Sequence, residues 1–566
     1  MAKSRPRSKP ARSKKTPPKE TGPRRVVEPV LWTAAALAVI SLFFLPLRGF
    51  PMNEISEIRA KTALFVAVLA LVGLRTLARG KIDPKKAGGA LALAAVLAAG
   101  CYVNFGAFHG RTYIHYWEHF HYTLGAKYFA ELGYDGLYAA SLEAQGDTYP
   151  LETIQPVIRD LRTNKVVSSG SIEVQEHRDE VRQRFTDDRW ERFVEDHRVF
   201  LDNNDRGYLA GIRRDHGFNP PPSWTFVARL FVGWLDIDDE GDLVSLAHVD
   251  LILLIAMFVV VFQTWGTRVG SLSLVLFGLG YAGRYYWVGG AFLREDWLAA
   301  MVIGICMLKR ERFGTAGAAF GYAAAVRLFP VLFMFGPGIV ALRALARRES
   351  WSWVWKLIGG WVAAFMVLVL LGSLTGRGFG AWTQFADSIS LHRQTWLTNN
   401  VGLDNVLLYD KATMNRDLVD FQLPEPWIHW QAKMDGLKHD RAAVLWAARL
   451  AFLALLAAAA WKAKPEEAAT MSLGAVFALV LTTCYYWQAL LILPFLGSWP
   501  VVWGALALNI VQYALHYQSP AFELRYGLMS WGLLVLFVGI YAPRVKALVD
   551  SWRADTSEGT EAPAEA

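Results

Sequence analysis

GAAFGYAAAVRLFPVLFMF, residues 317–335, decides how this chain is laid across a membrane. It is apolar apart from Arg327, and a charge inside apolar sequence is costly unless it is paired or reaches water. Three residues on, Pro330 removes a backbone donor and clashes with the preceding turn. The region 314–345 therefore reads as two short helices with a break between them, not as one span. Two readings of Arg327 stay open: a side chain snorkelling to the surface, or a fork that holds a phosphate or diphosphate.

Working outward, the composition agrees. The chain has 566 residues, 54% hydrophobic and only 19% charged, with 23 Trp and 32 Phe. A soluble domain rarely carries that apolar weight. Runs near the ~20 residues needed to cross a bilayer recur. They fall at 30–45, 62–77, 87–105, 246–265, 269–286, 291–308, 314–326, 330–345, 351–374, 442–461, 468–484, 488–496, 501–515 and 526–541. An all-α polytopic membrane protein with about 11–14 transmembrane helices is expected.

Basic residues set the expected orientation. The stretch 1–27 is rich in Lys, Arg, Pro and Ser and reads as a disordered cytoplasmic anchor rather than a nucleic-acid binder, so no nucleic-acid partner is expected. Alternation then places 75–86, Arg268, 309–312, 346–350, 462–467 and 544–546 on the same inner side, provided that 314–345 is the broken pair. The expected division is transmembrane helices at 28–105, a first outer loop at 106–245, central transmembrane helices at 246–374, a second outer loop at 375–440, C-terminal transmembrane helices at 441–545, and a disordered acidic tail at 546–566. No cleavable signal peptide is evident, and the expected location is the cytoplasmic (inner) membrane with a site facing the periplasm or exterior. Cys101, Cys306 and Cys484 lie far apart in apolar runs and read as small core residues.

The first outer loop opens on YIHYWEHFHYTLGAKYFAELGYDGLY, residues 113–138. If it is helical, Glu118, Tyr122 and Gly125 share a face, and the Gly125-Ala126 pair lets that face approach another helix. The alternative is an amphipathic helix lying in the interface. IEVQEHRDEVRQRFTDDRWERFVEDHRVF, residues 172–200, reads as a solvated helix with opposite charges at helical spacing. NPPPSW (219–224) reads as a rigid turn. In LREDW (293–297), Arg294, Glu295 and Asp296 read as pairing with one another. In HRQTWLTNNVGLDN (392–405), His392 and Arg393 suit phosphate, and Asn399 and Asn400 suit hydroxyls.

No nucleotide-binding glycine loop stands out, and nucleotide sugars are not supplied outside a cytoplasmic membrane. Sugar transfer there calls for a lipid-linked donor, a carboxylate to take the acceptor proton, and cations to receive the departing phosphate.

Taken in order, these motifs resemble the glycosyltransferase C superfamily, and within it the polyprenol-phosphate-mannose-dependent mannosyltransferases. The resemblance rests on Glu118 followed by HFHY-TLGA-KYFAELGYDGLY, on FNPPPSW from Phe218, on Arg327-Leu-Phe-Pro, on His392 with Asn399-Asn400, and on YYWQALLILP (485–494). The family usually carries Asp at the position of Glu118 and Lys at that of Arg327, and the charged insertion 147–217 has no counterpart. The resemblance implies a glycosyltransferase C-like fold with an outward cavity, and Glu118 as the base. It implies Arg327 and His392 as donor-phosphate contacts, helped by Arg294 and Arg393. Tyr122, His119, Asn399, Asn400 and Trp487 are implied as substrate contacts. It implies a polyprenyl-phosphate sugar as donor, a lipid or glycan as acceptor and membrane lipids around it; no cofactor is expected, and a metal, which the wider superfamily allows, is not implied by this pattern. The competing expectation is a transporter or flippase for an anionic lipid or solute.

Overall fold

The computed structural model describes residues 54–77, 84–109, 112–148, 156–410, 414–518 and 522–558. The basic tail 1–27 and the apolar run 30–45 lie outside the described residues, as do residues 78–83 of the loop 75–86. The protein is overwhelmingly helical, with two small antiparallel sheets of two strands each among the described residues.

Five described helices are long and apolar enough to cross a membrane: Glu240–Gly278, Phe329–Ala346, Ser352–Gly372, Ala442–Ala460 and Glu523–Ala554. Their outward faces are apolar. Trp355, Val367 and Leu370 stand exposed on one, Ile252 and Ile255 on another, and Trp531 and Val535 on a third. Apolar faces this extensive belong against lipid rather than water. The architecture is that of an all-α, membrane-embedded protein.

Several expected segments are shorter or broken. The run 246–265 and the first part of 269–286 lie in Glu240–Gly278, which is interrupted at Gly266 (φ 75°), and residues 279–286 fall beyond its end. Residues 279–295 are mostly irregular and almost wholly buried, which is how non-helical backbone is tolerated at membrane depth. The late run YYWQALLILP winds as a 3₁₀ helix, Cys484–Leu496. The helix Phe522–Glu558 continues past residue 546, where a disordered tail was expected.

The broken pair forms as the proline requires. The helix Phe313–Val326 ends at Arg327 (φ −151°, ψ 86°), a 3₁₀ turn covers Phe329–Met334, and Phe335–Ala346 resumes the helix. Gly317 and Gly321 let Phe313–Val326 lie directly on Ser352–Gly372. A Cβ on either would run into the Leu357 or Trp361 carbonyl.

The insertion folds as a unit rather than as one solvated helix. Val157–Asp160 and Lys165–Ser168 form a hairpin, with Val157 opposite Ser168 and Asn164 (φ 58°) in its turn. Residues 172–200 divide into Ile172–Gln183 and Asp187–Asn203, the second started by Asp187 and Asp188 where the helix dipole favours acids. Their inner faces are buried, including Val181, Phe193 and His197. The hairpin clasps the region 375–440: Asn164 donates to Thr395 Oγ1 at 2.7 Å, and Arg159 pairs with Glu425 at 3.0 Å.

Candidate functional site

Both long regions between the spans meet the broken pair around one cavity of about 600 Å³. Glu118, Tyr122, Arg294, Arg327, His392, Arg393 and Asn400 all line it, although they come from four separate parts of the chain.

The stretch that holds Glu118 is helical and packs several of its rings inside the protein. Tyr116–His119 passes through a π turn, Phe120–Leu124, into Gly125–Lys127, with His119, His121 and Tyr122 buried. A π turn widens the helix by one residue, and such bulges gather at functional sites. Gly125 leaves room for the Phe218 ring, which a Cβ would strike, so the small pair admits the proline-rich loop.

That loop organises the centre. Pro222 occupies the first turn of the helix Pro222–Val232, where its missing N–H costs nothing. Ser223 Oγ donates to the Ala325 carbonyl, one of those orphaned by the helix break, and Trp224 Nε1 donates to the Leu293 carbonyl at 3.0 Å. One short helix therefore fixes both arginine-bearing segments. The Arg327 guanidinium lies 5.6 Å from the Trp224 ring centroid and 5.8 Å from that of Tyr122.

LREDW does not pair with itself. Arg294 Nη1 donates to the Tyr122 hydroxyl at 2.8 Å, and its Nε stands 3.4 Å from Glu118 Oε2. Glu295 accepts from Gln488 at 2.6 Å, and Asp296 accepts from Tyr322 at 3.1 Å. Asp250, on the helix Glu240–Gly278, accepts the backbone N–H groups of Arg294 and Glu295 at 2.8 and 3.1 Å, which fixes the turn. Burial pushes the Tyr122 phenol up to about 12, so it keeps its proton and donates to Asn219 Oδ1 at 3.3 Å.

Arg327 and Glu118, both lining this cavity, have buried atoms without a hydrogen bond. Arg327 is 7% exposed, and its Nε and Nη2 have no hydrogen-bond partner among the described residues. Glu118 Oε2 also accepts no hydrogen bond. The other two carboxylates lining the cavity are engaged. Asp404 takes Arg449 Nη2 at 2.7 and 2.8 Å, and Asp215 takes the Trp117 indole N–H at 2.7 Å. A buried polar atom without a partner is costly, and a ligand that satisfies it recovers that cost.

Sequence reasoning missed Asp215, His216, Asp404, Lys438 and Arg449. Arg449 interrupts the apolar run 442–461 as Arg327 interrupts its own, so the same signal was present. His216 and His392 face each other edge to face with ring centroids 5.3 Å apart. Burial pulls both below the usual histidine range, and the Asp215 carboxylate only partly offsets this. His392 therefore offers a neutral ring, not a fixed charge.

Three expected contacts lie off the cavity. His119 is fully buried with its ring nitrogens on Thr123 Oγ1 and the Gly290 carbonyl, on the side of its helix away from the void. Trp487 is packed among Phe477 and Phe537, because the 3₁₀ winding turns Tyr485 and Tyr486 to the cavity in its place. Asn399 is outside the lining and its carbonyl accepts from Cys484 N, whereas Asn400 reaches the lining from a strand pairing with Thr483.

Among the described residues, no group of three or more His, Cys, Asp or Glu side chains is placed to hold a metal ion. A carboxylate with a free oxygen beside two guanidinium groups can take a proton from a hydroxyl and hold an anion in the same enclosure. Comparison with known proteins finds no matching family model, no matching curated protein and no matching solved structure.

Proposed function

We propose that this protein is an inverting glycosyltransferase of the glycosyltransferase C type, moving a sugar, mannose by the resemblance, from polyprenyl phosphate to a lipid or glycan acceptor. The observation that carries the reading is the convergence of Glu118, Arg294 and Arg327 on one cavity, with a carboxylate oxygen that accepts no hydrogen bond and a guanidinium edge without a hydrogen-bond partner. The donor phosphate bridges Arg327 and Arg294. Glu118 takes the proton of the acceptor hydroxyl while that oxygen bonds to the anomeric carbon. The carbon–oxygen bond to phosphate breaks, its electron pair stays on the phosphate, and the two arginines stabilise the added negative charge. His392 supports the phosphate as a neutral donor.

The alternative, transport of an anionic lipid or solute, makes use of the same broken helix. Purified protein in detergent, supplied with a polyprenyl-phosphate sugar and candidate acceptors, separates the two, because transport needs two compartments and transfer does not. Release of polyprenyl phosphate that depends on Glu118 supports transfer. Intact donor across a panel of lipid and glycan acceptors, with the donor demonstrably bound, removes the proposal.

A further inference from the structure

One wall of the cavity calls for hydrogens rather than for negative charge. Asp215, His216 and Asn219 line it where the insertion ends, and residues 215–221 include no lysine or arginine. Asp215 Oδ2 accepts the Trp117 indole N–H at 2.7 Å, and its carboxylate accepts the His216 N–H as well. A carboxylate has about four lone-pair sites, so roughly two remain to be filled. No arginine or lysine pairs with Asp215 among the described residues. His216 Nδ1 lies 2.9 Å from Asn164 Oδ1, an acceptor, so Nδ1 carries the hydrogen of the neutral ring and Nε2 is an acceptor too. A phosphodiester has no hydrogen to give to such a wall, whereas a sugar ring carries several hydroxyls. The wall also stands beside the reacting centre. Trp117, which anchors Asp215, directly precedes Glu118, and Tyr122, one turn on, donates to Asn219 Oδ1 at 3.3 Å.

We infer that Asp215 recognises the sugar of the donor, accepting hydrogen bonds from its ring hydroxyls while Arg294 and Arg327 hold the phosphate. This rests on the transferase reading, and it gives the insertion 147–217 a part in substrate choice. Asn in its place keeps an oxygen for the Trp117 indole and turns amide hydrogens toward the sugar, a donor where an acceptor is needed.

The test is binding to the purified full chain in neutral detergent. The probes are polyprenyl phosphate, polyprenyl-phosphate mannose and polyprenyl-phosphate glucose. The parent should bind at least one sugar ester more tightly than bare polyprenyl phosphate. Asp215→Asn should weaken that ester by about tenfold or more, the range for a hydrogen bond to a charged group, and leave bare polyprenyl phosphate unchanged. Asp215→Ala, which offers neither donor nor acceptor, should lose the same preference. A parent that binds all three probes alike overturns the inference. So do variants that keep the preference, or that weaken all three probes equally, since the carboxylate would then be structural. Transfer assayed on the same preparations separates the two ideas. A parent that prefers the ester through Asp215 but passes its sugar to no acceptor removes the transferase reading and leaves the sugar contact standing. A parent that transfers, matched on every probe by Asp215→Asn, removes the inference alone.

Discussion

The Nε of Arg294 lies 3.4 Å from Oε2 of Glu118, an ion pair without a hydrogen bond. A tight bidentate pair would bury the carboxylate under its partner and blunt it as a base. This spacing leaves a lone pair for an incoming hydroxyl, and it leaves the guanidinium able to turn toward a phosphate. Tyr122 holds the other end of the same arginine at 2.8 Å, so its position survives that exchange.

Glu118→Gln keeps the shape and removes the proton acceptor. Transfer from a polyprenyl-phosphate sugar should fall by about 10²–10⁴-fold, the usual contribution of a positioned base. Donor binding should hold within a factor of about two, since uncharged Gln leaves Arg294 more available to phosphate. Product formation and donor binding measured on one preparation check this, and a fully active variant removes Glu118 as base.

Arg327→Ala should weaken polyprenyl phosphate binding by about 1.5–3 kcal/mol, the range for hydrogen bonds to charged groups. Arg327→Lys should recover part of it, as a point charge without the planar fork. Competition with a labelled polyprenyl phosphate measures both. Equal affinity in all three proteins would show the guanidinium to be structural.

Ser223→Ala leaves the Ala325 carbonyl unsatisfied beside the helix break, at a cost of about 1–3 kcal/mol. The unfolding midpoint should drop modestly. Donor affinity should drop as well, because Arg327 is two residues beyond that carbonyl. Ser223→Thr, which retains the hydroxyl, should restore both. A stability loss with donor affinity intact would separate the serine from the site.

Burial holds His197, His216 and His392 below the ordinary histidine range. They are neutral when folded and gain protons on unfolding below about pH 6.5. The unfolded chain then binds more protons than the folded one, so stability is fully present above that pH and declines as the pH falls through it. Unfolding midpoints between pH 7.5 and 5 should therefore decrease, and His216→Asn should flatten part of the slope. A profile that is level over this range contradicts the buried, neutral assignment.

The residues legible in the sequence were those whose expense is local. Arg327 stood out because apolar neighbours and a proline made its charge costly without a use. Glu118 stood out as an acid among rings next to an apolar run. Arg449 carried the same mark and was passed over. His119 and Trp487 failed because adjacent residues on a helix or a 3₁₀ turn point in different directions, and composition says nothing about which one faces a void.

The sequence alone determined that this chain is helical and belongs in a membrane, and that its backbone breaks at Arg327 and Pro330. Those outcomes depend on apolar weight and on the chemistry of one proline ring, both written within a short window. Only the tertiary structure decided that the charged insertion clasps the region 375–440, supplying Asp215 and His216 to the cavity. Only the fold set Asp404 against Arg449 and Glu118 beside Arg294. Those pairings join residues 45 and 176 positions apart, and attraction at that separation exists only once the packing of helices brings the charges within reach.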